Sequence, residues 1–293
     1  MAKKYKSQSK KKKLDLIWSY ALLIFLCSFW LLPFVGMFLQ SFRSYDPAVE
    51  YGGMVDYLVP KVFSLDNYKY LFDMEQSKFL NWYGNTLVIA AACAVIQTIV
   101  VLAVSYALSR MRFKGRTLMM RFNLILGMFP GFLTMICLYF LLKEMGLTRE
   151  GAIPGLILLG TASSGMGYYV CKGFFDTIPK SLDEAARIDG ASRSRVFFQM
   201  TLPLAKPIVI YTALMAFMGP WCDYVMASYV AFGYEDSYNV AVAMQRWMTV
   251  NDYQGFFTRF CAGGVLIAVP VTLLFMALQK YYVQGVTGGA VKG

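Results

Sequence analysis

Few residues in this chain are equipped for chemistry, and their spacing narrows the kinds available. No histidine occurs among the 293 residues, which removes the commonest general base and metal ligand together. The six cysteines (Cys27, Cys93, Cys137, Cys171, Cys222 and Cys261) fall inside or at the edges of apolar runs. No pair has metal-ligand spacing, so they read as small apolar residues of the interior. A G-x-x-x-x-G-K-[S/T] stretch is also missing, so nucleotide cannot be cradled in the P-loop manner. No catalytic or metal site follows from these residues. Two features remain. One is Asp223, an acid deep within an apolar run just after Gly219-Pro220-Trp221. A carboxylate inside a membrane is a functional candidate by default, and Pro220 should distort the helix and free backbone groups there. Alternatively, Asp223 satisfies that broken backbone or sits at headgroup level, and the two readings stand level.

The second feature is the polar stretch from Ser181 to Pro207, SLDEAARIDGASRSRVFFQMTLPLAKP, between two strongly apolar runs. Ser181 followed by Glu184 is a capping-box signature and predicts a short helix starting just after Pro179. Ala185 and Ala186 leave a low-relief surface that another protein can approach. Gly190 can supply the turn that ends the helix. Arg187, Arg193 and Arg195 offer charged contacts to a partner. The plain alternative is a solvated loop with one helical turn.

The elements that must position these residues are membrane spans. At 58% hydrophobic and 15% charged, the chain is too apolar for a soluble domain. Six runs approach the length of about 20 residues that a span requires. They are Leu14–Phe42, Asn85–Ser109, Met119–Leu142, Ala152–Phe175, Pro207–Phe232 and Phe260–Val283. The first is too long for a signal-peptide core and is read as retained. Met128-Phe129-Pro130-Gly131 predicts a kink, and the small residues from Gly160 to Gly167 predict close helix contact.

Charge sets the expected topology. Lys3, Lys4, Lys6 and Lys10 to Lys13 place the N-terminus in the cytoplasm, and Arg110, Arg112, Lys114, Arg116 and Arg121 do the same for the loop after the second span. The 43–84 loop holds four basic and six acidic residues, as an outside segment should. Six spans with both termini inside then put residues 176–206 in the cytoplasm. The net charge of +11 needs no nucleic acid to explain it, because seven positive charges lie in a tail suited to anionic headgroups beside the first span. The 233–259 loop is outside and aromatic, with Tyr234, Tyr238, Trp247, Tyr253, Phe256 and Phe257; it reads equally as a docking surface or an interfacial belt.

Glu184-Ala185-Ala186, Gly190 and Leu202-Pro203 resemble the E-A-A-x3-G-x9-I-x-L-P pattern of ABC importer permeases, with Met200 at the isoleucine position. The resemblance implies a cytoplasmic coupling helix that docks into an ATP-hydrolysing subunit. Its contacts would come from Ser181, Glu184, Ala185, Ala186, Asp189, Gly190, Leu202 and Pro203. Other stretches are similar to carbohydrate importer permeases in particular. They are Phe63-Ser64-Leu65-Asp66-Asn67-Tyr68, Asn85-Thr86-Leu87, Tyr106-Ala107-Leu108-Ser109-Arg110, Trp221-Cys222-Asp223-Tyr224 with Cys222 for the usual Asn, and the tail from Gln279 to Gly293. Together they cover nearly the whole chain and resemble the MalG-type permeases of maltose and maltodextrin-like importers.

That resemblance implies an all-α, six-span type I ABC importer permease in a bacterial cell membrane. It divides the chain into a basic tail 1–13, a first span and outer loop 14–84, a permease core 85–284 with coupling loop 176–206, and a tail 285–293. It further implies a MalF-type second permease, two ATPase subunits carrying ATP-Mg, and an extracellular sugar-binding protein, with no cofactor on this chain. Pro220, Trp221 and Asp223 become candidates to line a translocation path. The expected cargo is maltose, maltodextrin or a related oligosaccharide. Other sugars, glycerol phosphate, peptides or amino acids are the alternative; a membrane enzyme is disfavoured by the missing catalytic groups, and a receptor by the lack of an outside segment large enough for a ligand-binding domain.

Overall fold

The computed structural model describes residues 2–44, 58–162, 165–249 and 253–290. Among them the regular structure is helical, with one isolated antiparallel bridge between Arg43 and Phe63. In chain order the helices are α1 (Ala2–Ser41), α2 (Asp66–Phe72), α3 (Phe79–Arg110), α4 (Arg116–Gly127), α5 (Gly131–Glu144), α6 (Ala152–Ala162) and α7 (Gly165–Thr177). They continue with α8 (Lys180–Ile188), α9 (Arg193–Val196), a π-helical turn (Phe197–Thr201), α10 (Leu202–Leu204), α11 (Lys206–Cys222), α12 (Val225–Val230), α13 (Val240–Thr249) and α14 (Tyr253–Ala290).

Three helices are long and apolar enough to cross a membrane unaided: Asp15–Ser41 within α1, Phe79–Arg110, and Phe257–Gln279 within α14. The third and fifth expected spans are interrupted. α4 and α5 meet at 103° across Met128-Phe129-Pro130, so the predicted kink is a full break in the third span. Pro130 lacks the N–H that a continuous helix would use and excludes helical backbone before it. Ser163 and Ser164, inside the fourth expected span, lie outside the described residues. The fifth expected span ends early, because α11 stops at Cys222 and α12 resumes at Val225. Helix also extends beyond the expected limits: α1 runs back through the basic tail, α3 begins at Phe79 rather than Asn85, and α14 continues to Ala290.

The chain forms two compact units. One comprises residues up to Leu71 with Val250–Val265. Its centre is Asn67, fully buried, whose Nδ2 donates to the carbonyls of Ser41 and Arg43 at 3.1 and 2.7 Å. Thr258 donates to Asn67 Oδ1 at 2.9 Å, and Arg259 stacks over Tyr70 at 3.7 Å. The asparagine of the Phe63–Tyr68 stretch thus satisfies carbonyls at the end of α1 that no helix partner can reach.

The second unit comprises Phe72–Thr249 with the chain from Leu266 onward. Its axis is α3, which lies along α6, α7 and α11. One face of α3 (Ile89, Ala90, Cys93, Val101, Leu102) is buried, while Val88, Val95 and Ile99 on the other are exposed, as a lipid-facing surface should be. Where α3 meets α6, a Cβ on Gly160 would lie 2.5 Å from Cys93 Sγ, so only glycine permits the approach. Asn85 and Thr86 tie the start of α3 to the 233–259 segment: Asn85 donates to the carbonyls of Asp236 and Tyr238, and the Val240 N–H donates to Thr86 Oγ1 at 2.9 Å. Two of its aromatics turn inward, while the side chains of Tyr253 and Phe256 lie outside the described residues. Tyr238 and Trp247 are buried, and Trp247 lies against Phe79 and Trp82, so the expected exposed aromatic loop loses two of its members to the interior.

Candidate functional site

The polar stretch folds into α8 followed by a separate rod formed by α9, the π-helical turn and α10. α8 begins at Lys180, one residue before Ser181, with Pro179 at the N-cap and no side-chain cap. The predicted capping box is therefore not made: Pro179 turns the chain into the helix, and Ser181 already lies within the first turn. Gly190 does end the helix, at φ +84°. The Ala191 N–H donates to the Ala186 carbonyl at 2.9 Å and the Gly190 N–H to the Arg187 carbonyl at 3.1 Å, the paired bonds of a Schellman motif. Ser192 then caps α9 by accepting from the Arg195 N–H at 3.3 Å.

One face of α8 turns inward through Ala186, which is buried, and Asp183. The outer face carries Ser181, Glu184, Ala185, Arg187 and Ile188, with Ile188 86% exposed.

Arg110, the last residue of α3, fastens α8 to the membrane helices. Its side chain is 5% exposed, and Nη2 donates to the carbonyls of Phe175 and Ile178 at 2.9 and 2.7 Å. Nε lies 3.1 Å from Asp183 Oδ2, an ion pair without hydrogen-bond alignment. Beside it, Ser109 donates to Asp176 Oδ1 at 2.6 Å and Lys172 pairs with Oδ2 at 2.5 Å. Burial acts to raise the Asp176 carboxyl, but the hydrogen bonds from Lys172 and Ser109 outweigh it and hold the group below its ordinary value.

The rod reaches the core through Leu202. An apolar cluster of Val101, Leu102, Tyr106, Cys171, Phe175 and Ile208 joins α3, α7 and α11, and Phe197 and Leu202 sit against it. The Tyr106 ring lies tilted against Phe197, the centroids 4.6 Å apart. Residues Arg193–Leu204 then meet Lys206–Cys222 at 82°. Pro203 and Pro207 each withdraw a backbone donor on either side of Ala205, which explains the sharp corner.

A second site lies where α11 breaks. A cavity of about 660 Å³ is bordered by α3, α5, α6 and the α11–α12 junction, with Gln97, Thr134, Asp223 and Asn239 as its polar members. Pro220 and Asp223 line it. Trp221 does not; it is buried, edge-on to Tyr83 at 5.3 Å. Asp223 Oδ1 accepts the Met226 N–H at 3.2 Å. Asn239 Nδ2 donates to the carbonyls of Pro220 and Asp223 at 3.2 and 2.8 Å, and its Oδ1 accepts the Val242 N–H at 3.0 Å. Both residues satisfy broken backbone, one of the two readings open for Asp223, while Asp223 also borders the cavity.

Residues 99–288 match the family described as the binding-protein-dependent transport system inner membrane component. The chain belongs to that family. It is 35% identical over 285 residues to the galactooligosaccharides transport system permease protein GanQ of Bacillus subtilis, covering 97% of this chain and 98% of that protein. It is 39% identical over 230 residues to the maltodextrin transport system permease protein MdxG of the same organism, covering 78% and 81%. In fold it is similar to a chain of a bacterial ABC transporter involved in the import of the acidic polysaccharide alginate. The TM-score is 0.77 at 23% identity, over 92% of this chain and 97% of that one. The protein is thus an inner-membrane permease of an ABC transport system, a transport subunit and not an enzyme.

Within this permease, Ser181, Glu184, Ala185, Ala186, Asp189 and Gly190 come together on α8 and its cap, with Leu202 and Pro203 on the following rod. Sequence reasoning missed Asp183, Asn239 and Ser192, and saw Arg110 as a loop charge and as the end of a family-like stretch, without its partner. The signal for Arg110 was a cation closing an apolar span, in a loop with no acid to pair it. Ser192, just before Arg193, had the residue type of an N-cap.

Proposed function

We propose that this permease carries an oligosaccharide of the maltodextrin or galactooligosaccharide type across the membrane by alternating access. It would pair with a MalF-type second permease on two ATPase subunits that hold ATP-Mg, and receive sugar from an extracellular binding protein. The observation that carries this reading is α8: an exposed outer face ending in Ile188, with its inner side fastened through Asp183 to Arg110 at the end of α3. Motion of an ATPase against α8 passes to α3 through that pair and to α11 through the Leu202 rod. ATP binding would close the ATPase dimer and turn the spans outward; hydrolysis would reset them. Such coupling requires that ATP and the loaded binding protein both favour one conformation over the other.

The relatives' cargoes support an oligosaccharide, and the cavity at the α11 break supports a path through Pro220 and Asp223. Copurification in mild detergent, followed by ATPase assays with binding protein loaded with maltodextrins or galactooligosaccharides, tests the proposal. Stimulation by one sugar class identifies the cargo. Recovery of a lone chain with no ATPase overturns the reading, and stimulation only by a peptide or amino acid overturns the sugar assignment.

A further inference from the structure

A second cavity, of about 360 Å³, lies between the end of α3 and α8 and borders the exposed face of α8 through Glu184 and Arg187. Six cations border it: Arg110, Arg112, Arg116, Lys180, Arg187 and Arg193. They face two acids, Asp183 and Glu184, and Asp183 is already committed to Arg110. The balance is therefore five cations to one carboxylate in a concave space. Arg110 adds a second, independent sign: its side chain is 5% exposed, yet Nη1 is buried with no hydrogen-bond partner. A buried guanidinium nitrogen without an acceptor is costly, and an oxyanion is the group whose geometry a guanidinium matches.

We infer that this cavity binds a phosphate group. Two sources share that chemistry, the headgroup of an anionic phospholipid and free phosphate. Position favours the lipid: the cavity opens at Arg110, where the apolar α3 ends, and basic pockets at the cytoplasmic ends of spans suit anionic headgroups. A phosphate there would bridge the loop after α3 (Arg112, Arg116) to α8 and α9 (Arg187, Arg193), adding a non-protein clamp to the Arg110–Asp183 pair. Membrane lipid composition would then bear on how firmly the coupling segment is held. The inference rests on α3 being a span and goes beyond the transport reading, which assigns no ligand to this cavity.

The test uses the assembled transporter in nanodiscs of phosphatidylcholine alone or with added phosphatidylglycerol, scored by native mass spectrometry for lipid retained after detergent exchange. A parallel arm measures radiolabelled inorganic phosphate binding in phosphatidylcholine discs by equilibrium dialysis. Wild type is expected to retain phosphatidylglycerol over phosphatidylcholine. The Arg112→Gln/Arg116→Gln variant should lose this preference by about twenty-five-fold, at roughly fivefold per basic residue, while Arg112→Lys/Arg116→Lys keeps most of it. Saturable inorganic phosphate binding that the glutamine variant loses, without lipid preference, identifies free phosphate as the source. Equal retention of both lipids with no phosphate binding by wild type, or a glutamine variant that matches wild type in both arms, overturns the inference. Because the wild-type comparison decides alone, a variant that fails to assemble does not rescue the idea. Transport and ATPase activity do not enter the readout, so failure here is distinct from failure of the transport proposal.

Discussion

Arg110 holds three groups at once: it donates to two carbonyls at the end of α7 and pairs by charge with the Asp183 carboxylate on α8. Only a guanidinium can span them. Lysine would bring the charge but not the fork, so Arg110→Lys should recover only part of the function. Arg110→Ala leaves Asp183 without its cation and two carbonyls without donors, a change of the kind that costs about 3–5 kcal/mol. The expected result is clear loss of thermal stability of the purified complex. Because both side chains belong to one contact, Arg110→Ala and Asp183→Ala should combine less than additively. Full additivity would mean that the pair does not hold α8. This contact was half legible in the sequence: the arginine at the end of an apolar run asked for a partner, but nothing in the chain's spacing said that Asp183, 73 positions on, would supply it. Contacts of that range come from tertiary structure, which periodicity does not encode. Ser181 shows the opposite error. Its spacing to Glu184 fitted a capping box, but the neighbouring Pro179 set the helix start and left the serine inside.

Among the elements, the long uninterrupted ones were read well and the broken ones were not. Phe79–Arg110 is apolar over most of its length, and hydropathy found it with its first six residues left outside. The Met128–Gly131 stretch announced a disturbance, but its size, 103°, depends on what the two halves lie against. The break after Cys222 is stabilised by Asn239, which no local pattern connects to Pro220. Asn239→Ala would remove donors from two carbonyls and the acceptor from the Val242 N–H. At about 1–3 kcal/mol for each buried group left unsatisfied, the α11–α12 junction should loosen. Faster hydrogen exchange confined to residues around 220–242 would register it, and an unchanged exchange pattern would count against this role. Gly160 offers a cleaner test of contact between α3 and α6. Alanine there puts a methyl 2.5 Å from Cys93 Sγ, so the sulfur must turn aside or the helices part, at about 1–3 kcal/mol. Adding Cys93→Ala removes the obstructing sulfur and should restore most of the lost stability in a thermal melt. If Gly160→Ala alone is silent, the close approach of α3 to α6 is wrong.

At the scale of the whole molecule, transport requires that α8 be both a rigid lever and a readable surface, and two substitutions separate those demands. Gly190 sits at φ +84°, whereas proline is fixed near −65°, and proline would also remove the N–H that bonds the Arg187 carbonyl. Gly190→Pro must therefore deform the end of α8 itself. Glu184 is exposed on α8, so reversing its charge leaves the helix and its anchor intact. Loss of ATPase recovery in Glu184→Lys would arise from whatever covers that face, although Glu184 also borders the basic cavity. Both variants are expected to insert and to copurify with the second permease, and both should lose sugar uptake. They should differ in the ATPase subunits: Glu184→Lys weakens their recovery in a salt-dependent manner, since the altered contact is electrostatic, whereas Gly190→Pro retains them but no longer responds to loaded binding protein. Wild-type uptake by either assembled variant would defeat the lever account. If instead the two variants behave alike at every salt concentration, the outer face of α8 is not read by charge, and Ile188, the most open aliphatic residue on it, becomes the contact to change next.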